Sequence, residues 1–134
     1  VHAERFEKNI HDWMEEYRTG IIVGLFGMGA DGHVAGIVPG IYDEAEFNKR
    51  FLGGRDTAVV ELDKNDPNSQ MFPCRVTTTL TFMKKVHYPL FHIKGENKRD
   101  ALVRALDEKT PLFEIPARIM LEMRSPAVFT DIEL

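Results

Sequence analysis

A short apolar run that opens into a glycine-rich loop constrains this chain more than any other feature. Residues 21–26 read IIVGLF, and residues 27–40 read GMGADGHVAGIVPG. An apolar run of this length, closed by glycines, is typical of a strand buried on both faces, as in a parallel sheet. Open α/β sheets bind ligands beyond the carboxyl ends of such strands. The loop at residues 27–40 is therefore the first candidate for a site.

The loop joins backbone freedom to an acid and an imidazole. Gly27, Gly29 and Gly32 permit tight turns and a close backbone approach, and Asp31 and His33 lie two residues apart. Spacing alone leaves two interpretations open, a functional site or an ordinary turn with Asp31 as a cap and His33 as a partly buried surface side chain. The glycine spacing differs from the dinucleotide fingerprint, and no Gly-Lys-Ser/Thr follows, which argues against a P-loop.

Composition excludes several classes of protein. The 134 residues suit a single domain spanning residues 1–134. The net charge of −4 argues against a general nucleic-acid binder. The sequence contains no apolar run of about 18 residues, so no membrane span is predicted. Cys74 is the only cysteine, so we expect no intrachain disulfide and a reducing, cytoplasmic compartment. The five histidines show no HExxH or similar spacing, so neither a metal nor another cofactor is expected.

Helical and strand-like patterns alternate along the chain. Helical patterns occur at residues 3–17, 78–86 and 97–106. A further short helix is expected through Phe51, with Asp43 as its N-cap. Strand-like runs occur at residues 21–26, 57–62, 88–93 and 127–130, with a polar turn at residues 63–69. Pro89 is unusual for a central strand. The alternation predicts an α/β fold with a mostly parallel, doubly wound sheet and right-handed crossovers.

Several segments resemble one family in both order and spacing. Residues 27–33 (GMGADGH) with Pro39 and Gly40 resemble the signature of the 6-phosphogluconolactonase and glucosamine-6-phosphate deaminase superfamily. Further likenesses follow at residues 73–77 (PCRVT), 95–98 (GENK), 115–117 (IPA) and 128–131 (VFTD). The resemblance runs from about Ala3 to Asp131. It implies a Rossmann-like three-layer fold, of which this chain corresponds to the C-terminal portion and lacks the N-terminal portion that carries the family's phosphate loop.

The residues after the histidine favour the lactonase branch. Val38 stands where the deaminases have a proton-relaying glutamate, and residues 75–77 also resemble the lactonases. Val34 and Gly36 depart from the lactonases' usual threonine and serine. The resemblance implies hydrolysis of a sugar lactone phosphate, above all 6-phosphogluconolactone in the pentose phosphate pathway. Two alternatives stay open: a glucosamine-6-phosphate deaminase or isomerase, and a non-catalytic fragment that binds sugar phosphate.

Lactone hydrolysis requires an activated water and a stabilised oxyanion. His33 is suited to deprotonating water near neutral pH, and it matches the histidine that acts as base in the lactonases. Asp31 either orients this imidazole or remains a turn residue. The N–H groups of residues 27–32 are candidates to face the oxyanion, which makes Gly27, Gly29 and Gly32 candidate substrate-binding residues.

A phosphorylated substrate also requires cations. The resemblance matches Arg75 and Lys98 to basic residues near the phosphoryl end of the substrate. An arginine can bind phosphate oxygens with two hydrogen bonds, and a lysine near a helix start adds to the favourable helix dipole. The alternative is that both are solvated surface cations. We expect a small sugar phosphate as partner, no nucleic acid and no membrane, and self-association through an exposed sheet edge.

Overall fold

The structure is a computed structural model that describes residues 2–61 and 74–134. Its helices are α1 (His2–Glu16), α2 (Glu44–Phe51), α3 (Leu80–Met83) and α4 (Arg99–Ala105), with 3₁₀ turns at Glu96–Lys98 and Pro116–Glu122. Its strands are β1 (Val23–Phe26), β2 (Thr57–Glu61), β3 (Cys74–Thr78), β4 (Tyr88–Ile93) and β5 (Ala127–Thr130). The turn predicted at residues 63–69, together with Leu62 and Pro73, lies outside the described residues. None of the described helices has the length and apolar character needed to cross a bilayer.

A parallel sheet forms the centre of the fold. Its strand order is β1-β4-β5, with Phe26 of β1 opposite Phe91 of β4 and Phe91 opposite Val128 of β5. Helical segments separate these strands along the chain, as parallel neighbours require. The predicted α/β class with a parallel sheet is confirmed.

An antiparallel pair of strands was not predicted. Strand β3 lies against β2, with Arg75 opposite Val60 and Thr77 opposite Ala58. The helix predicted at residues 78–86 is wrong in extent, because α3 covers only Leu80–Met83. The β-branched threonines before it continue the strand, and the hydroxyl of Thr79 accepts a hydrogen bond from the N–H of Phe82 as the N-cap of α3.

Pro89 occupies the middle strand of the parallel sheet without breaking it. The N–H of Tyr88 donates to the carbonyl of Ile22, so the next nitrogen along β4, that of Pro89, points away from β1. On that side β5 begins to pair only at Leu90. The missing donor therefore lies just outside the ladder, where a proline is tolerated.

The two faces of the parallel sheet differ in burial. Phe91 and Ile93 are fully buried and belong to the hydrophobic core of the described residues. On the other face, Val23 and Leu25 are exposed. The prediction that the run at residues 21–26 is buried on both faces is therefore wrong for this chain, because nothing among the described residues covers the outer face of β1.

Candidate functional site

The candidate loop follows β1 at the carboxyl edge of the parallel sheet. Met28, Val34 and Ile37 are buried in the core, and they fix the loop to the body of the molecule. Between these anchors, Asp31 and His33 remain accessible, with 47% and 43% of their side chains exposed. The loop is therefore a fixed frame that presents two polar side chains to solvent.

Asp31 and His33 form a pair whose geometry sets the state of the imidazole. Asp31 Oδ1 lies 2.7 Å from His33 Nδ1 and also accepts the backbone N–H of His33 at 3.1 Å. An ionised carboxylate only accepts hydrogen bonds, so Nδ1 carries the proton. In the neutral imidazole, the other ring nitrogen, Nε2, then holds the lone pair. In this geometry Asp31 is both a turn residue and the group that orients the ring, the two alternatives left open by the sequence.

Gly29 makes room for this pair. A Cβ at Gly29 would stand 2.2 Å from the Nδ1 and Cε1 atoms of His33 and 2.5 Å from Asp31 Oδ1. The N–H of Gly29 donates to the carbonyl of His33 at 3.0 Å. Any larger residue at this position would displace the imidazole or the carboxylate.

Gly32 shapes the loop through its backbone. Its φ is +85°, and a Cβ here would stand 2.7 Å from Ile115 Cδ1. Its N–H donates to the carbonyl of Gly29, and its carbonyl accepts from the N–H of Ala117. Because the N–H groups of Gly29 and Gly32 are engaged within the loop, they are not directed at a developing oxyanion in this structure. A Cβ at Gly27 would meet nothing within 4 Å, so the space beside Gly27 is open.

A tight turn follows His33 directly. The N–H of Ile37 donates to the carbonyl of Val34 at 2.8 Å, and the central residues Ala35 and Gly36 have φ of +49° and +75°. Two positive φ values with this bond define a type I′ turn. This turn was not predicted, although a glycine at the second central position is a typical signal.

Strand β3 brings Arg75 to this turn. A Cβ on Gly36 would stand 3.9 Å from Arg75 Cδ, so the side chain of Arg75 lies over Gly36. The side chain of Arg75 is exposed. The buried Thr77, two residues further along β3, donates its hydroxyl to the carbonyl of Ala35 at 2.5 Å. The structure thus places one of the predicted cations beside the turn that follows the predicted base.

Lys98 reaches the same edge of the sheet by another route. It ends the 3₁₀ turn Glu96–Lys98, which follows β4, the direct neighbour of β1. The carboxyl ends of parallel neighbours meet at one edge. Asp131, which follows β5 at this edge, accepts the N–H of Gly95 at 2.9 Å, and this hydrogen bond lowers the pKa of Asp131 below its ordinary value. No role was predicted for Asp131.

An open cavity of about 440 Å³ lies beside Asp31, within the size range of small-molecule sites. Its lining residues are Asp31, Pro39, Gly40, Tyr42, Arg104, Phe113 and Glu114. Arg104 is held by Glu114 at 2.7 Å. Of the predicted site residues, only Asp31 belongs to this lining. Within the described ranges, no group of three His, Cys, Asp or Glu side chains is arranged to hold a metal ion.

Comparison with known proteins gives one family. Residues 1–129 match the family of glucosamine-6-phosphate isomerases and 6-phosphogluconolactonases. Among curated proteins, no sequence matches the chain. The fold is similar to that of 6-phosphogluconolactonase from Thermotoga maritima, with 26% identity and a TM-score of 0.64 over 96% of this chain. It is also similar to 6-phosphogluconolactonase from Plasmodium vivax, with 16% identity and a TM-score of 0.69, and to a monomeric glucosamine-6-phosphate deaminase, with 21% identity and a TM-score of 0.66, each over 96% of this chain.

The chain is shorter than these solved proteins. It spans 49% of the Thermotoga protein and 50% of each of the other two. At identities of 16% and 21% the latter two show the fold alone. The family model therefore shows the family of this chain, and the solved structures show its architecture.

Proposed function

The chain belongs to the family of glucosamine-6-phosphate isomerases and 6-phosphogluconolactonases, and we propose that it hydrolyses a sugar lactone phosphate. The proposed reaction is the conversion of 6-phosphogluconolactone to 6-phosphogluconate, in the pentose phosphate pathway and in the cytoplasm. One observation carries the proposal: Asp31 Oδ1 lies 2.7 Å from His33 Nδ1, which in the neutral imidazole leaves the lone pair on Nε2, and both side chains are partly exposed. That is the arrangement a general base requires.

In the proposed reaction, His33 Nε2 takes a proton from water as the water oxygen bonds to the lactone carbonyl carbon. Asp31 stabilises the resulting imidazolium without taking its proton, as carboxylates do in comparable pairs. When the tetrahedral intermediate collapses, the ring C–O bond breaks, and the imidazolium returns its proton to the departing alkoxide. The products are a carboxylic acid and a hydroxyl group, and His33 is again neutral.

The proposed phosphate contacts are made by Arg75 and Lys98. Arg75 is exposed and lies over the turn that follows His33, and Lys98 lies at the same edge of the sheet. The guanidinium can bind two phosphate oxygens at once, while the lysine acts as a point charge. The open space beside Gly27 supports the approach of a substrate to the backbone there.

The alternative activity is deamination of glucosamine 6-phosphate. The structural likeness to a deaminase is its support. Val38, which lies where the deaminases have a glutamate in the resemblance described above, cannot transfer a proton. Release of ammonia from glucosamine 6-phosphate at a rate above background would reverse the order of the two proposals.

The decisive experiment measures hydrolysis of freshly made 6-phosphogluconolactone against the spontaneous background. We expect activity that falls to background in His33→Ala and persists in His92→Ala, a control because His92 is an exposed histidine of β4. Activity unchanged in His33→Ala would contradict the assignment of the base. No activity in the wild type, together with measurable binding of 6-phosphogluconate, would favour the non-catalytic sugar-phosphate-binding alternative.

We also propose that the chain self-associates through the edge of its parallel sheet. In the described strand order, β1 lies at an edge, and Val23 and Leu25 are exposed on it. Edge strands that stay monomeric are usually protected by charges, prolines or bulges, and the sequence of β1, VGLF, provides neither a charge nor a proline.

A further inference from the structure

We infer that Thr77 is a positioning residue that fixes Arg75 relative to His33. The inference rests on the proposed function, because it concerns how the proposed base and the proposed phosphate ligand are held in register. Thr77 itself is buried and does not line the cavity next to Asp31. Its effect passes through the turn at residues 34–37.

The turn needs an external support. Ala35 adopts a φ of +49°, a region that costs a non-glycine residue about 1 kcal/mol or more. Such a conformation persists only when its surroundings hold it. The hydroxyl of Thr77 donates to the carbonyl of Ala35, which is the peptide oxygen between the two residues with positive φ. The bond therefore holds the most strained part of the turn.

The same strand carries the cation. Side chains two residues apart on a strand point to the same face, so Arg75 and Thr77 both face the turn. Thr77 binds the carbonyl of Ala35, and Arg75 lies over Gly36. Strand β3 is itself held by β2, through the pairs Ala58 with Thr77 and Val60 with Arg75.

The turn at residues 34–37 directly follows the proposed base, His33, in the chain. Val34 and Ile37 are fully buried, and Val34 directly follows His33. The carbonyl of His33 accepts the N–H of Gly29. A shift of the turn would therefore move His33, which directly precedes it in the chain. The same shift would release the contact between Gly36 and Arg75. Displacements of about 1 Å between reacting groups can cost about 100-fold in rate.

The first test follows backbone amides by NMR hydrogen exchange in Thr77→Val and Thr77→Ser. Valine keeps the shape and removes the hydroxyl, and serine keeps the hydroxyl. We expect the Ile37 amide, which donates to Val34, to exchange about tenfold faster in Thr77→Val and within about twofold of the wild type in Thr77→Ser. The Phe91 amide in the buried sheet reports global opening and should change less. Equal protection of Ile37 in all three proteins would overturn the inference.

The matched control is Thr78→Val. Thr78 is the next residue of β3, and its side chain points to the opposite face. In Thr78→Val we expect the Ile37 amide to exchange at the wild-type rate. An acceleration equal to that of Thr77→Val would mean that loss of any hydroxyl in β3 loosens the turn, which also contradicts the inference.

The second test is kinetic. We expect Thr77→Val to lower kcat for 6-phosphogluconolactone about tenfold while KM changes less than about threefold, and Thr77→Ser to restore most of kcat. A kcat in Thr77→Val equal to that of the wild type would overturn the positioning role. A wild type that neither hydrolyses the lactone nor binds 6-phosphogluconate would overturn the proposed function and the positioning role together, and the exchange experiment would still decide whether Thr77 supports the turn.

Discussion

The two faces of the parallel sheet carry similar side chains in opposite environments. On the inner face, the rings of Phe26 and Phe91 stack with centroids 5.1 Å apart, and Phe91 is fully buried. On the outer face, Leu25 is 78% exposed and Phe129 is 58% exposed. Since neighbouring residues of the same strands supply both faces, hydrophobicity alone did not decide which face is covered. Among the described residues, the helices and loops pack against the inner face.

Exposed apolar side chains are not confined to β1. Ile21 lines one surface groove with Trp13 and Tyr17 of α1 and another with Tyr88 of β4. Trp13, Tyr17, Ile21, Tyr88 and Phe129 are each more than 40% exposed.

The contrast between the faces is tested most strongly by truncating one phenylalanine on each. Phe91→Ala removes a buried ring, and we expect it to lower the free energy of unfolding by about 3–5 kcal/mol. Phe129→Ala removes an exposed ring from the adjacent strand, and we expect a change of about 0.5 kcal/mol. Urea unfolding at low protein concentration measures both. Equal losses would mean that the outer face is covered in solution.

The candidate loop leaves little room beside Gly29. In Gly29→Ala the new methyl would collide with His33 and Asp31, and we expect about a 100-fold loss of the proposed hydrolysis. The control is Gly54→Ala, where φ is +92° and a Cβ meets nothing within 4 Å. That variant should lose some stability and keep its rate. A Gly29→Ala protein with wild-type kinetics would separate the Asp31–His33 pair from catalysis.

On the uncovered side, a charge should reduce association without affecting the fold. Leu25→Lys places an ammonium on the edge strand. We expect the dissociation constant of self-association to rise at least about tenfold, as measured by sedimentation across a concentration series. The control is Val103→Lys, because Val103 is an exposed apolar residue on α4. A wild type that is monomeric at all concentrations would refute self-association. An equal effect of both lysines would refute its assignment to β1.

The smallest expected effect concerns the attachment of α1, which has no fully buried residue. Glu7 accepts hydrogen bonds from Arg55 Nη2 at 2.6 Å and from the N–H of Asp56 at 3.0 Å. The bond from Arg55 is the largest influence that lowers the pKa of Glu7. A lowered carboxyl pKa stabilises the folded state above the ordinary value near 4.3, and this contribution disappears as the pH falls through the folded pKa.

The protection factors of the α1 amides, which correct for the intrinsic pH dependence of exchange, should therefore fall a few-fold below about pH 4 in the wild type. In Glu7→Gln the same amides should already exchange faster at neutral pH and should show a weaker dependence on acid. An identical pH profile in the two proteins would show that Glu7 does not attach the helix. His11, whose Nε2 lies 2.9 Å from Asp56 Oδ2, would then be the next candidate.

Much of the local structure could be predicted from the sequence. Strand-like apolar runs predicted β1, β4 and β5, and Asp43 was predicted as the N-cap of α2, where its carboxylate accepts the N–H of Glu46. These features depend on residues close in sequence, whose geometry is fixed by periodicity and capping. Strand β3 was missed because it pairs with β2 across the segment at residues 62–73, a non-local contact that no local pattern encodes.

For the candidate site, the sequence by itself determined the chemical groups: glycines, one carboxylate and one imidazole within residues 27–33, and the basic residues Arg75 and Lys98 further along. Only the tertiary structure decided how they are arranged. The pairing of His33 with Asp31, the space that Gly29 leaves for them, and the hydrogen bond from Thr77 to Ala35 each depend on atoms brought together by packing. The tertiary structure also decided which face of the sheet is exposed. Side-chain alternation gives each strand two faces, and only the packing of other elements covers one of them.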